Sequence, residues 1–86
     1  MVFLVLEPVE AEETIGVAKQ VGAAVWVGAD AMTHEEHYRF ATEGVALTRF
    51  AYPLSGASRD VVEEALATVV QHHPNEVVWV QHVPQS

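Results

Sequence analysis

The sequence predicts a small α/β fold, in which four strands alternate with three helices in the order β-α-β-α-β-α-β around a mostly parallel sheet. Unbroken apolar runs are typical of strands that helices cover on both faces, and amphipathic stretches separate these runs. The connections are short, which favours right-handed crossovers between parallel strands. Because a chain of 86 residues holds one hydrophobic core, we expect a single domain over residues 1–86.

Four segments have strand character, and one of them differs from the others. Val45–Tyr52 carries Thr48 and Arg49 among apolar residues and meets Pro53. Polar side chains and a following proline are typical of a strand at the edge of a sheet. The other three segments are continuous apolar runs: Val2–Leu6, Ala23–Val27 and Val77–Val80.

Three helical stretches lie between the strands, and the last two have the clearest signals. Thr33 and Glu36 have the spacing of a capping box, and Gly44 stands where a glycine commonly ends a helix. The third stretch carries an apolar stripe centred on Leu66, with the spacing of a buried helix face. The predicted helices are Glu10–Gln20, Thr33–Glu43 and Asp60–His72.

A ferredoxin-like α+β sandwich is the alternative that this pattern leaves open, with residues 29–44 forming an elaborated hairpin loop. That fold leaves one sheet face uncovered, and strands as apolar as these would then need a second chain to bury them. A homodimer is therefore a further expectation. Strand direction distinguishes the two folds, because Ala23–Val27 and Val45–Tyr52 are antiparallel only in the sandwich.

The composition excludes several classes of function. The net charge of −8 lacks the clustered cations that a nucleic-acid backbone requires, whereas it is compatible with a basic protein partner. The absence of cysteine excludes disulfide scaffolds, thiolate zinc sites and cysteine nucleophiles. No segment approaches the ~18 apolar residues of a membrane span, and the first apolar run is too short for a signal peptide. We expect a cytoplasmic protein without a membrane partner.

Ligands of parallel sheets bind beyond the carboxyl ends of the strands, and one segment there has binding character. Ser55-Gly56-Ala57-Ser58 is a turn of small residues that leads into a helix, and Arg59 follows it. Free N–H groups at a helix start bind anions, so Ser55, Gly56, Ser58 and Arg59 are the predicted ligand-binding residues. The spacing matches no phosphate-loop fingerprint, and serine is also an ordinary helix cap.

Three further side chains are expected at this edge of the sheet. Glu7 and Asp30 follow the first two strands, and His82 follows the last one. A carboxylate pair can bind a divalent cation or transfer protons. On one face of the second helix, His34 and His37 have a spacing that can chelate a metal, although it is not the zinc-protease pattern. We expect no cofactor.

The aromatic side chains are expected to pack inside the domain rather than to form a recognition surface. Trp26 and Trp79 occupy similar positions in the middle of apolar strands, which predicts two buried indoles. We expect the same of four further aromatic side chains, which are Tyr38, Phe40, Phe50 and Tyr52.

Without a catalytic motif, the sequence favours a non-enzymatic interaction or regulatory module that engages a protein partner or associates with itself. One alternative is a small-ligand-binding domain or enzyme that docks an anionic group at the turn from Ser55 to Ser58. Another is a metal-dependent protein that uses His34 and His37, or Glu7 and Asp30.

Overall fold

The computed structural model describes residues 1–9 and 11–81, which form the predicted alternation of strands and helices. The strands are β1 (Val2–Val5), β2 (Ala24–Val27), β3 (Leu47–Arg49) and β4 (Val78–Val80). The helices are α1 (Ala11–Val21), α2 (His34–Thr42) and α3 (Arg59–His72). Among the described helices, none is long and apolar enough to cross a membrane.

The four strands form one sheet in the order β3-β2-β1-β4, and all three neighbouring pairs are parallel. The predicted parallel sheet is therefore confirmed, as is the edge position of Val45–Tyr52, which contains β3. Because β2 and β3 run parallel, the ferredoxin-like alternative is wrong. The first predicted helix began at Glu10, which lies outside the described residues.

The chain reverses its direction across the sheet once, and this reversal places helices on both faces. It winds from β1 through β2 to β3, and α3 then returns it to the opposite side of β1, where β4 lies. Alternate side chains of the strands point to opposite faces of the one sheet, where they form two hydrophobic clusters. One cluster joins the sheet to α1, to the loop before α2 and to Phe40 of α2, and the other joins the sheet to α3.

Local sequence signals explain where α2 and α3 begin. The Thr33 hydroxyl accepts a hydrogen bond from the Glu36 N–H at 3.1 Å, and the Glu36 carboxylate accepts one from the Thr33 N–H at 3.0 Å. These two bonds complete the predicted capping box and lower the pKa of Glu36. Ser58 caps α3 by accepting a hydrogen bond from the Val61 N–H.

The aromatic residues divide between the core and the surface, which corrects part of the sequence prediction. Trp26 and Phe50 are buried as expected, and Phe40 packs against the core beneath α1. Trp79, in contrast, is 58% exposed and Tyr38 is 72% exposed, and Tyr52 is also exposed at 38%. The prediction of buried side chains is therefore wrong for Trp79, Tyr38 and Tyr52.

The exposure of Trp79 follows from the layout of the sheet. Its register partner on β1 is Phe3, which packs on the face that carries α1. Because α1 and α2 pack over β1, β2 and β3, that face of β4 has no helix above it. The apolar run was thus correctly identified as a strand, but its position at an edge leaves one of its faces open.

Candidate functional site: the carboxyl edge and the surface of β4

The turn before α3 brings together most of the residues predicted at the carboxyl edge. The Glu7 carboxylate accepts hydrogen bonds from the Ser55 hydroxyl and from the Gly56 N–H, the latter at 3.1 Å. The Asp30 carboxylate accepts hydrogen bonds from the N–H groups of Leu54 at 3.1 Å and Ser55 at 3.3 Å. Glu7 and Asp30 therefore hold the same turn from the ends of β1 and β2.

Close packing places this turn against the end of β2. Gly28 directly follows β2, and a Cβ atom at its position would lie only 2.8 Å from the Leu54 Cβ. A side chain there would force Leu54, which is fully buried, out of its place. The glycine thus allows the turn to come within reach of Asp30.

Carboxylates of the chain itself occupy the N–H donors at the start of this turn. An added phosphate or carboxylate would have to displace Asp30 and Glu7 from Leu54, Ser55 and Gly56. The Arg59 guanidinium does not interact with the turn. Its Nε donates to Glu63 at 3.0 Å, and its side chain is 90% exposed. Binding of an anionic ligand by these residues stays a prediction, and the geometry does not favour it.

The crevice where the sheet order reverses is also filled by a side chain. In open parallel sheets this position, here between β1 and β4, commonly binds ligands. The Gln81 side-chain oxygen Oε1 accepts hydrogen bonds from the N–H groups of Leu6 at 2.8 Å and Glu7 at 2.7 Å, and its side-chain Nε2 donates to the Val9 carbonyl at 2.7 Å. Sequence reasoning missed Gln81, although a polar residue directly after an apolar run was visible. His82 lies outside the described residues.

A groove of about 760 Å³ lies between the starts of α1 and α2, at the same edge of the sheet. Arg49 crosses it, donating to the Ala29 carbonyl and lying 3.3 Å from a ring nitrogen of His34. Its Nε is buried and has no hydrogen-bond partner among the described residues. Four carboxylates also line the groove, so its charge is negative overall; they belong to Glu12, Glu13, Asp30 and Glu36.

The two histidines proposed as metal ligands do not assemble a metal site in the described part of the chain. No group of three His, Asp or Glu side chains there is arranged to hold a metal ion. The His34 ring lies beside the Arg49 guanidinium, whose positive charge opposes a cation at that nitrogen. A role of His34 and His37 in metal binding stays a prediction.

An apolar surface, which sequence reasoning also missed, lies around β4. We call it the β4 surface, and it consists of the exposed side chains of Val17, Val77, Trp79 and Val80. A shallow groove of about 370 Å³ runs between Trp79 and Val17 of α1. The sequence does contain a signal for this surface. Three helices cannot cover both faces of all four strands, so one face of an edge strand stays exposed to solvent.

The backbone of β4 is open along its outer side. Val77 and Gln81 bond to β1 through the Val77 carbonyl and the Gln81 N–H. Since bonding directions alternate along a strand, the N–H and C=O groups of Val78 and Val80 point away from β1. These groups have no partner among the described residues.

The β4 surface differs in charge from the rest of the domain. Residues 77–81 contain no acidic or basic side chain, although the chain carries a net charge of −8. Glu76, in the turn before β4, accepts a hydrogen bond from the Met1 amino group at 2.8 Å. That bond and one from His73 lower the pKa of the Glu76 carboxyl group.

No family model, curated protein or solved structure matches this chain. Function is therefore inferred from the geometry of the described residues. Among the predicted site residues, the structure joins Glu7, Asp30, Ser55 and Gly56 in one hydrogen-bonded turn. It places the β4 surface apart from them, on the edge strand at the side of β1 opposite to β2.

Proposed function

We propose that this chain is a non-enzymatic protein-interaction module that binds an extended polypeptide segment along the free edge of β4. The observation that carries the proposal is Trp79, which is 58% exposed in the middle of an edge strand whose outer backbone groups have no partner among residues 1–9 and 11–81. An added strand would bond to the backbone of Val78 and Val80 and would cover the indole. The cytoplasmic location expected from the sequence is part of this proposal.

The two edges of the sheet support this choice by their contrast. Charged side chains in an edge strand commonly protect it from pairing, and β3 and β4, which have three residues each, differ in this respect. The β3 edge has such protection, because the strand includes the polar residue Thr48 and the charged residue Arg49. The β4 edge has a tryptophan between two valines and no charge. Leaving an apolar edge unprotected risks aggregation, so a binding role accounts for its presence.

The other candidate sites receive less support from the geometry. The turn from Ser55 to Ser58 has its first donors bound by Glu7 and Asp30, and Gln81 fills the crevice beside β1. Residues 77–81 carry no charge, so the bound segment itself is expected to be uncharged and apolar.

A peptide titration tests the proposal. The probe is a synthetic peptide with the sequence of residues 77–81, flanked by lysines to keep it soluble. With a labelled chain and an unlabelled peptide, we expect the amide resonances of Val78 and Val80 and the indole N–H resonance of Trp79 to shift. The same peptide with alternate N-methylated residues cannot form the strand hydrogen bonds and should not bind.

Matched variants locate the binding surface. Trp79→Ser removes the central anchor and should weaken peptide binding at least about tenfold, because aromatic anchors dominate small interfaces. Tyr38→Ser removes an aromatic residue of α2 that is even more exposed, at 72%, and lies away from β4, so this variant should leave binding unchanged. Absence of any shift at Val78 and Val80, or equal losses in both variants, would contradict the proposal.

A further inference from the structure

Resting on the proposed function, we infer that the segment bound at the β4 edge is β4 of a second copy of this chain. The two strands pair antiparallel about a two-fold axis at Trp79, which joins two four-stranded sheets into one. Three features of the β4 surface support a second copy of the chain as its partner.

The first feature is that the free backbone groups of β4 are complementary to themselves. With the axis at Trp79, Val78 of one copy faces Val80 of the other. Each of these residues has both its N–H and its C=O directed outward, so each pair exchanges two hydrogen bonds. The two-fold axis makes the two pairs equivalent, and each pair consists of two valines.

The second feature is the placement of the side chains on such an axis. Trp79 would face Trp79 of the second copy in a non-hydrogen-bonded pair, where side chains approach most closely, with Cβ atoms about 4.5–5.5 Å apart. Each indole would lie over the bare face of β4 and beside Val17 of α1, which lines the same groove. Pairing would thus bury the side chains that the helices leave exposed.

The third feature is charge. Two copies that each carry −8 repel one another, so contact is least costly where the chain has no charge. Residues 77–81 are such a stretch, and the nearby Glu76 is neutralised by the Met1 amino group. A strongly basic segment would find no carboxylate along β4 itself to pair with. An uncharged apolar strand, which β4 is, complements the edge better.

The size of the β4 surface sets the expected affinity. A standard interface takes about 800 Å² from each partner, and the whole chain exposes 5530 Å². Trp79 contributes on the order of 100 Å² of exposed side chain, and the three valines contribute less. The dimer therefore belongs to the class of small, transient interfaces, and it should dissociate on dilution.

Sedimentation equilibrium of the full chain, from low micromolar to millimolar concentration, tests the inference. The wild type should change from monomer to dimer within this range. Val80→Lys, which places a charge on an edge position that is 40% exposed, should weaken the dimer at least about tenfold, as should Trp79→Ser. Tyr38→Ser, the matched control, should associate like the wild type. A monomer throughout, or a dimer that both β4 variants leave intact, would overturn the inference.

A measurement on the wild type alone tests the same pairing and does not depend on whether the variants fold. Hydrogen exchange of the Val78 and Val80 amides should slow as the protein concentration rises, because pairing gives each N–H an acceptor. Constant exchange rates in a dimeric sample would place the contact elsewhere. A monomeric chain whose Val78 and Val80 amides respond to the lysine-flanked peptide would end the homodimer inference and leave the proposed function standing. No response to either partner would end both.

Discussion

At the scale of single residues, hydrogen bonds link the start of the chain to the end of α3. The Trp26 indole N–H donates to His73 Nε2 at 3.1 Å, and His73 Nδ1 lies 2.9 Å from the Glu76 carboxylate. Because an indole can only donate, Nε2 must carry the lone pair and Nδ1 the proton. Glu76 also accepts from the Met1 amino group, so one carboxylate connects β1 with the turn before β4.

Glu76 should therefore make stability depend on pH. Its folded-state pKa lies below the ordinary value of 4.5, so its contribution is present above that value and is lost as the pH falls through the folded pKa. Glu76→Gln removes this contribution. Urea titrations at neutral and acidic pH should show a smaller loss of unfolding free energy on acidification in Glu76→Gln than in the wild type. Parallel losses in the two proteins would contradict this.

Asp30 decides whether the turn before α3 can accept an external anion. In the wild type, phosphate should leave the amide resonances of Leu54 and Ser55 unmoved, because the Asp30 carboxylate already holds both N–H groups. Asp30→Ala should free these donors, lower stability by about 1–2 kcal/mol and allow phosphate to shift the two resonances. Phosphate-dependent shifts in the wild type would instead support the anion-binding alternative.

At the scale of the elements, α3 packs against the sheet through its small residues rather than through the centre of its apolar stripe. Ala65 and Val69 are fully buried, whereas Leu66 is only partly buried and Val70 is 48% exposed. The periodicity identified the helix correctly, but the stripe is wider than the face that the helix buries. Small side chains at the contact let the helix approach the strands, and this rotates the larger ones toward the rim.

Substitutions on α3 can measure this rotation. Val69→Ala should cost about 1.5–3 kcal/mol, because it removes a fully buried side chain and leaves a cavity. Leu66→Ala should cost less than the about 2–5 kcal/mol typical of a fully buried leucine, and Val70→Ala should stay within about 0.5 kcal/mol. Urea unfolding of the three variants checks the order. A larger loss for Leu66→Ala than for Val69→Ala would show that the stripe is centred on Leu66 after all.

At the scale of the whole molecule, the number of helices limits how much of the sheet is covered. Two helices on one face and one on the other bury β1 and β2 but leave one face of β4 bare. A two-fold contact there would extend the buried surface without any change in the fold. Dimerisation would then add to stability by mass action.

The thermal midpoint should consequently depend on protein concentration. Above the dissociation constant of the dimer, a tenfold increase in concentration should raise the midpoint by about 3 °C. Val80→Lys should show a constant midpoint over the same range, and Tyr38→Ser should follow the wild type. A concentration-independent midpoint in the wild type, at concentrations where sedimentation detects a dimer, would mean that association does not require the folded β4 edge.

Local signals in the sequence were enough to predict the elements and their order. Apolar runs identified the strands, and the Thr33–Glu36 pattern identified the start of α2, because caps and periodicity depend on neighbours within a few residues. Short connections and apolar strands also predicted parallel pairing, because few topologies satisfy both. Glu7 and Asp30 were correctly expected at one edge, since parallel strands end on the same side.

Only the tertiary structure decided which side chains meet and which remain exposed. Trp26 and Trp79 lie in similar apolar runs, yet one strand is central and the other is at an edge, and this position depends on where α3 returns the chain. Likewise, the turn beginning at Ser55 looked free to bind an anion until Asp30 and Glu7 reached it from distant strands. The order of elements depends on local sequence, whereas burial and hydrogen-bond partners depend on contacts between residues far apart in the chain.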